Sequence, residues 1–205
     1  MLSIVDVVRS LVALTAAAIM CAHGPAATAS PIVVDFEGFS DGSSITNEIA
    51  GVSILQGGLV LTAGLSLNEV DFPPRSGQNV LLGSQTLTFD FTETISEFTA
   101  FVTYAAPVEL RIYDSFSQLL FFAVSGFSNN TATSGDPGSL PNEMLRFDAG
   151  SGIDRVTLTS AGDFVVDDVT FSRASVPPNP VPEPPGAMLL IAVTGAFLAV
   201  RSRRR

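Results

Sequence analysis

Two acidic clusters hold most of the chemistry legible in this sequence of 205 residues: Asp35-Phe36-Glu37 and Asp167-Asp168. On a strand, Asp35 and Glu37 would share a face, with Phe36 opposite. In Phe164–Phe171 one face would carry Val165, Asp167, Val169 and Phe171, and the other Phe164, Val166, Asp168 and Thr170. One of the two aspartates must then lie beside a largely apolar row, and a carboxylate there needs a partner. A structural Ca²⁺ would serve, since it takes about six to eight oxygens. Backbone amides at a turn or a sheet edge would serve as well. Asp35, Glu37, Asp167 and Asp168 are therefore the candidate metal ligands. A two-carboxylate glycosidase is the third use of such acids. It needs a cleft, acids about 5–10 Å apart and a surface for the sugar ring.

Composition narrows the choice. The only Cys (Cys21) and the only His (His23) lie near the N-terminus, and there is no Trp and no Lys. A chain trimmed after Ala29 has no disulfide, no Cys or His metal ligand, no Ser-His-Asp or Cys-His nucleophile and no histidine base. No catalytic residue is assigned. The tyrosines beyond that point are Tyr104 and Tyr113 alone, so aromatic stacking on sugar is poorly supplied. Between Ser30 and Arg173 there are five arginines and 18 acids, a net charge of −13. Such a domain does not favour nucleic acid or anionic membranes.

Elements that would position the acids read as strands. Short runs rich in Val, Ile, Leu, Phe and Thr recur between Gly, Pro, Asn and Asp, with no helical period in the middle of the chain. Eleven segments stand out: Ile32–Glu37, Val52–Leu55, Leu59–Thr62, Asn79–Leu82, Thr86–Thr92, Ile95–Tyr104, Val108–Asp114, Gln118–Val124, Met144–Ala149, Asp154–Thr159 and Asp163–Ser172. They predict an all-β antiparallel sandwich of jelly-roll type over residues 30–173. Its core draws on the 15 phenylalanines of the chain. Ser125–Asn142, rich in Ser, Asn, Thr, Gly and Pro, is a long loop. Arg75, after Phe72-Pro73-Pro74, reads as a solvated loop arginine or a ligand contact.

Both ends read as addresses. Residues 1–29 form a signal peptide: Arg9, the apolar Leu11–Ala22, then Ala27-Thr28-Ala29, whose small residues at 27 and 29 suit signal peptidase. Residues 174–185 hold six prolines and form a linker. Residues 186–205 comprise an uncharged apolar run Gly186–Val200 and Arg201-Ser202-Arg203-Arg204-Arg205. As a helix the run is about 22 Å long, short for a permanent span but fitting for a processed sorting tail. The arginines hold its far end on the cytoplasmic side.

With Pro182-Glu183-Pro184 ahead of it, this layout resembles the PEP-CTERM sorting signal recognised by exosortase. The acidic pair also resembles the "DFE…iDDltf" pattern of exported domains that carry this tail, and the shared calcium of terminal strands in many carbohydrate-binding jelly rolls. The resemblance implies export through the inner membrane, transient anchoring, and residence in the cell envelope or matrix. It implies exosortase and signal peptidase as processing partners, and a structural or interaction role near exopolysaccharide rather than an enzyme. The alternative is a carbohydrate- or Ca²⁺-binding jelly-roll module.

Overall fold

The computed structural model describes residues 30–174, which fall inside one compact unit, Ala27–Ser175. The signal peptide, most of the linker, the Pro-Glu-Pro tripeptide and the apolar tail lie outside the described residues. Among the described residues there is no helix, and so none long and apolar enough to cross a membrane.

Seven antiparallel strands account for the order: β1 (Ile32–Val34), β2 (Val52–Thr62), β3 (Asn79–Tyr104), β4 (Val108–Tyr113), β5 (Leu119–Val124), β6 (Glu143–Ser160) and β7 (Phe164–Arg173). They pair in the order β1-β7-β3-β6-β4-β5, with β2 also on β3. Eleven predicted segments thus fuse into seven strands. The sequence signals taken as turns between them are bulges inside long strands. Gly57, for example, has φ 82°, and the register of β2 on β3 shifts between Gln56 and Gly58. A Cβ there would sit 2.1 Å from the Thr86 carbonyl oxygen, so glycine is what lets β2 cross β3 without ending.

The two longest strands bend. Residues 86–90 of β3 pair with β2 and the end of β6, while its late part pairs with the start of β6 and, like the opening residues 81–83, with β7. The bend brings the two parts of β3 face to face. Phe98 lies 5.8 Å from Phe89 and 6.5 Å from Phe91, and Phe91 lies 5.1 Å from Phe171, measured between ring centroids. Tilted and edge-on rings at such distances add to the area they bury. The sheet therefore folds over one core, in sandwich layering, with Phe36, Phe89, Phe98, Phe164 and Phe171 fully buried. Phenylalanine fills that core only in part. Phe116 and Phe122 are exposed, at 83% and 47%.

The loop expected at Ser125–Asn142 is present between β5 and β6, and it is pinned. Asn130 is wholly buried. Its side-chain oxygen accepts the Tyr104 amide at 2.6 Å, and its NH₂ donates to the carbonyls of Val102 (2.9 Å) and Leu140 (3.2 Å). Pairing of β6 on β3 begins at Glu143↔Val102, so one asparagine continues the ladder where the strand is missing.

Candidate functional site

The acidic cluster is brought together, but not as drawn from the strand pattern. Asp35-Phe36-Glu37 lies in a turn after β1, because Phe36 adopts φ 61° and drops into the core. On β7, Phe164 and Val166 face the main core, as do Val169 and Phe171. That change of parity is a bulge: Asp168 has φ 46°, and the register against β3 shifts between Thr99 and Phe101. The single alternation expected through Phe164–Phe171 is corrected accordingly.

Asp167 is buried, at 1% exposure, as one of the two aspartates had to be. Its partners are backbone amides. One carboxylate oxygen accepts the amides of Arg75 (2.8 Å) and Ser76 (3.1 Å), and the other accepts that of Asp168 (2.7 Å). Glu37 Oε1 accepts the amides of Gln78 (2.8 Å) and Asn79 (2.6 Å). Gly77, with φ 54°, lets that loop close over the carboxylate: a Cβ would meet it at 2.3 Å. Ser76 Oγ donates to Asp168 at 2.8 Å. Arg75 lies 3.6 Å from Asp168, and its guanidinium carbon is 3.6 Å from the ring centre of Phe101. Arg75 is thus a stacked and paired arginine.

These acids fasten residues 75–79 to the turn after β1 and to β7, neighbouring strands at one side of the sheet. Ca²⁺ binding requires several convergent oxygens; here Glu37 and Asp167 accept backbone amides, and Asp168 takes the Ser76 hydroxyl and the Arg75 guanidinium. Among the described residues, no group of three or more His, Cys, Asp or Glu is placed to hold a metal ion.

Burial pushes the Asp167 carboxyl up to about 6, against the pull of its three amide donors. The sign follows. Between about 4, where the unfolded group titrates, and 6 the folded state holds the extra proton, so stability falls as pH rises. Melting temperatures of the wild type and Asp167→Asn should therefore converge from pH 4 to pH 6 and then run parallel.

A second arrangement, missed in the sequence, is the outer face of β2, β3, β6, β4 and β5. Directly opposed residues share a face. One row runs Thr86, Thr159, Glu109, Val124; the next runs Gln56, Thr88, Thr157, Arg111, Phe122; a third includes Asp90, Arg155 and Tyr113. Five strands at about 4.8 Å make the middle row about 19 Å wide. Arg111 pairs with Glu109 at 2.6 Å and stands 5.5 Å from the centre of the Phe122 ring. Arg155 pairs with Asp90. At one end the face opens into a cavity of about 610 Å³, with Gln85, Pro107, Glu109 and Ser160 among its lining residues. Gln85 holds φ 68° there.

The arginines of this face are matched by neighbouring carboxylates, and the rest is hydroxyl, amide, half-open ring and the half-exposed Val124. Of the two tyrosines only Tyr113 belongs to it. Tyr104 is buried, bonded to Glu143, and pushed up to about 12, first by burial. The legible signal was the alternation Thr86, Thr88, Asp90, which placed polar residues opposite the core without showing what they line up with across strands.

No protein-family model matches this chain. No curated protein matches it either. Among solved structures, it is similar to a family 29 carbohydrate-binding module from Piromyces equi, at 10% identity over 71% of this chain and 91% of that one, with a TM-score of 0.38. A family 6 carbohydrate-binding module gives 18% identity, 69% and 93% coverage, and a TM-score of 0.34. A xylan-binding domain of family 22 gives 14%, 75% and 99%, and 0.36. These values are too low to assign the chain to any of those families.

Proposed function

We propose that this chain is an exported envelope or matrix protein whose β domain, a jelly roll in type, binds a neutral polysaccharide on the open sheet face. The observation that supports the binding role is the row Gln56, Thr88, Thr157, Arg111, Phe122. Its hydroxyls and amide can each donate and accept, which suits a ligand made of hydroxyl groups. Phe122 and Tyr113 offer apolar ring surface beside them. The ligand is neutral because both arginines of the face are already paired with carboxylates and the domain is acidic. The reading is binding rather than hydrolysis: Glu109 and Asp90 are each engaged by an arginine on their own face, not set as two free carboxylates across a cleft.

The export reading is supported by the signal peptide and by the serial order of Pro182-Glu183-Pro184, short apolar run and arginine cluster. It makes exosortase and signal peptidase the processing partners, and places the protein beside exopolysaccharide. The cell-associated protein should lack residues 186–205 by intact mass; a mass that includes them would overturn the sorting step.

A polysaccharide array, read with calcium and with EGTA, tests the binding role. Neutral polysaccharides should bind equally in both. Arg111→Ala and Tyr113→Ala should each weaken binding about tenfold, the worth of one good stacking or bidentate contact. No binding to any polysaccharide would overturn the reading. Binding lost in EGTA would transfer the role to Asp35, Glu37, Asp167 and Asp168.

A further inference from the structure

We infer that β5 is a pairing edge for a second copy of this chain, joining two sheets into one across a twofold axis. β5 ends the strand order and pairs with β4 alone. Ser125 donates its amide to Val108 at 2.9 Å. Antiparallel ladders alternate, so the amides of Ala123 and Phe121 also turn toward β4, and those of Phe122 and Val124 turn outward. Among the described residues no strand pairs with those outward groups.

Exposed edges are normally guarded by charge, proline, shortness or a bulge. Leu119-Leu120-Phe121-Phe122-Ala123-Val124 contains no charge and no proline. Its one irregularity lies at the Tyr113↔Leu119 end, which leaves Phe121–Val124 regular. Apolar side chains lie open along it: Leu119 at 54%, Leu120 at 43%, Phe122 at 47% and Val124 at 49%. Such continuous apolar exposure marks an interface.

Charge selects the occupant. The domain carries a net −13 and should repel its own copies. Yet Ser115–Gly135, 21 residues that include all of β5, has no ionisable side chain, the longest such stretch in residues 30–173. The edge is where one acidic copy can approach another without juxtaposing like charges. An antiparallel pairing about a twofold is self-complementary, since each copy offers the same donors and acceptors to the other. The contact is narrow, so the dimer forms and dissociates with concentration.

Sedimentation velocity of the full chain, kept in mild detergent so that the apolar tail stays solvated, measures this. A dimer should form by about 100 μM, ordinary for a small interface. Leu120→Lys and Val124→Pro should each return it to monomer, the proline being tolerated because the Val124 amide does not serve β4. Leu140→Lys, at a residue 76% exposed in another loop, should leave the dimer intact. In the wild type, hydrogen exchange at the Phe122 and Val124 amides should slow at high concentration and quicken on dilution. A monomer throughout, a dimer that survives both substitutions, or exchange at those two amides independent of concentration would each overturn the inference. If either substitution unfolds the chain, the wild-type exchange decides.

Discussion

Asn130→Ala is expected to destabilise the domain by about 3–4 kcal/mol, the sum of unsatisfied backbone groups and lost packing at a wholly buried site. The physical chain is short. Asn130 is 0% exposed, and its side chain satisfies the Tyr104 amide and the carbonyls of Val102 and Leu140. Alanine fills less space and can satisfy none of them. Because two of these groups, on Val102 and Tyr104, belong to the end of β3, the loss falls on the strand through which both layers of the sheet communicate. Chemical denaturation should show the lower midpoint with an unchanged slope. Asn130→Asp should also destabilise the protein, since a carboxylate would point at two carbonyls where the amide donates. A midpoint within experimental scatter of the wild type would show that the loop is not anchored through this residue.

Asp167→Ala comes next, at about 2–4 kcal/mol. The carboxylate is costly to bury, as its elevated pKa records, but its removal leaves the amides of Arg75, Ser76 and Asp168 without their acceptor. The loop over residues 75–79 should loosen. Asp167→Asn should cost less, since one oxygen remains to accept the two loop amides. Adding calcium should restore neither variant. Faster exchange confined to the amides of Arg75 and Ser76 would confirm the local origin of the loss; a uniform change across the sheet would contradict it.

How far the sequence reached depended on distance along the chain. Class, strand positions and the pinned loop are short-range properties, carried by alternation and by turn residues. The fusions are not. Glu93-Thr94 looks like a break because nothing local shows that Phe91 and Phe98 will meet across the core. That one of Asp167 and Asp168 needs a partner was legible in the apolar rows of β7, but neither which one nor the partner was. Arg75 and Ser76 lie about 90 residues away, and amides are present at nearly every residue, so they leave no mark in composition. The bulge at Asp168 was hidden likewise, since a positive φ at aspartate is a matter of context. The sheet face was legible as single-strand alternation only. Its rows exist through the register of five strands, and register is set by the whole core.

The account turns on that face. Titrating an isotope-labelled chain with the neutral polysaccharide that scores best on the array, and following backbone amide shifts by NMR, tests it most directly. The largest shifts are expected at Thr88, Thr157, Arg111, Tyr113 and Phe122, fading toward β1 and β7. Shifts concentrated instead at residues 35–37, 75–79 and 167–168, with the open face silent, would contradict it.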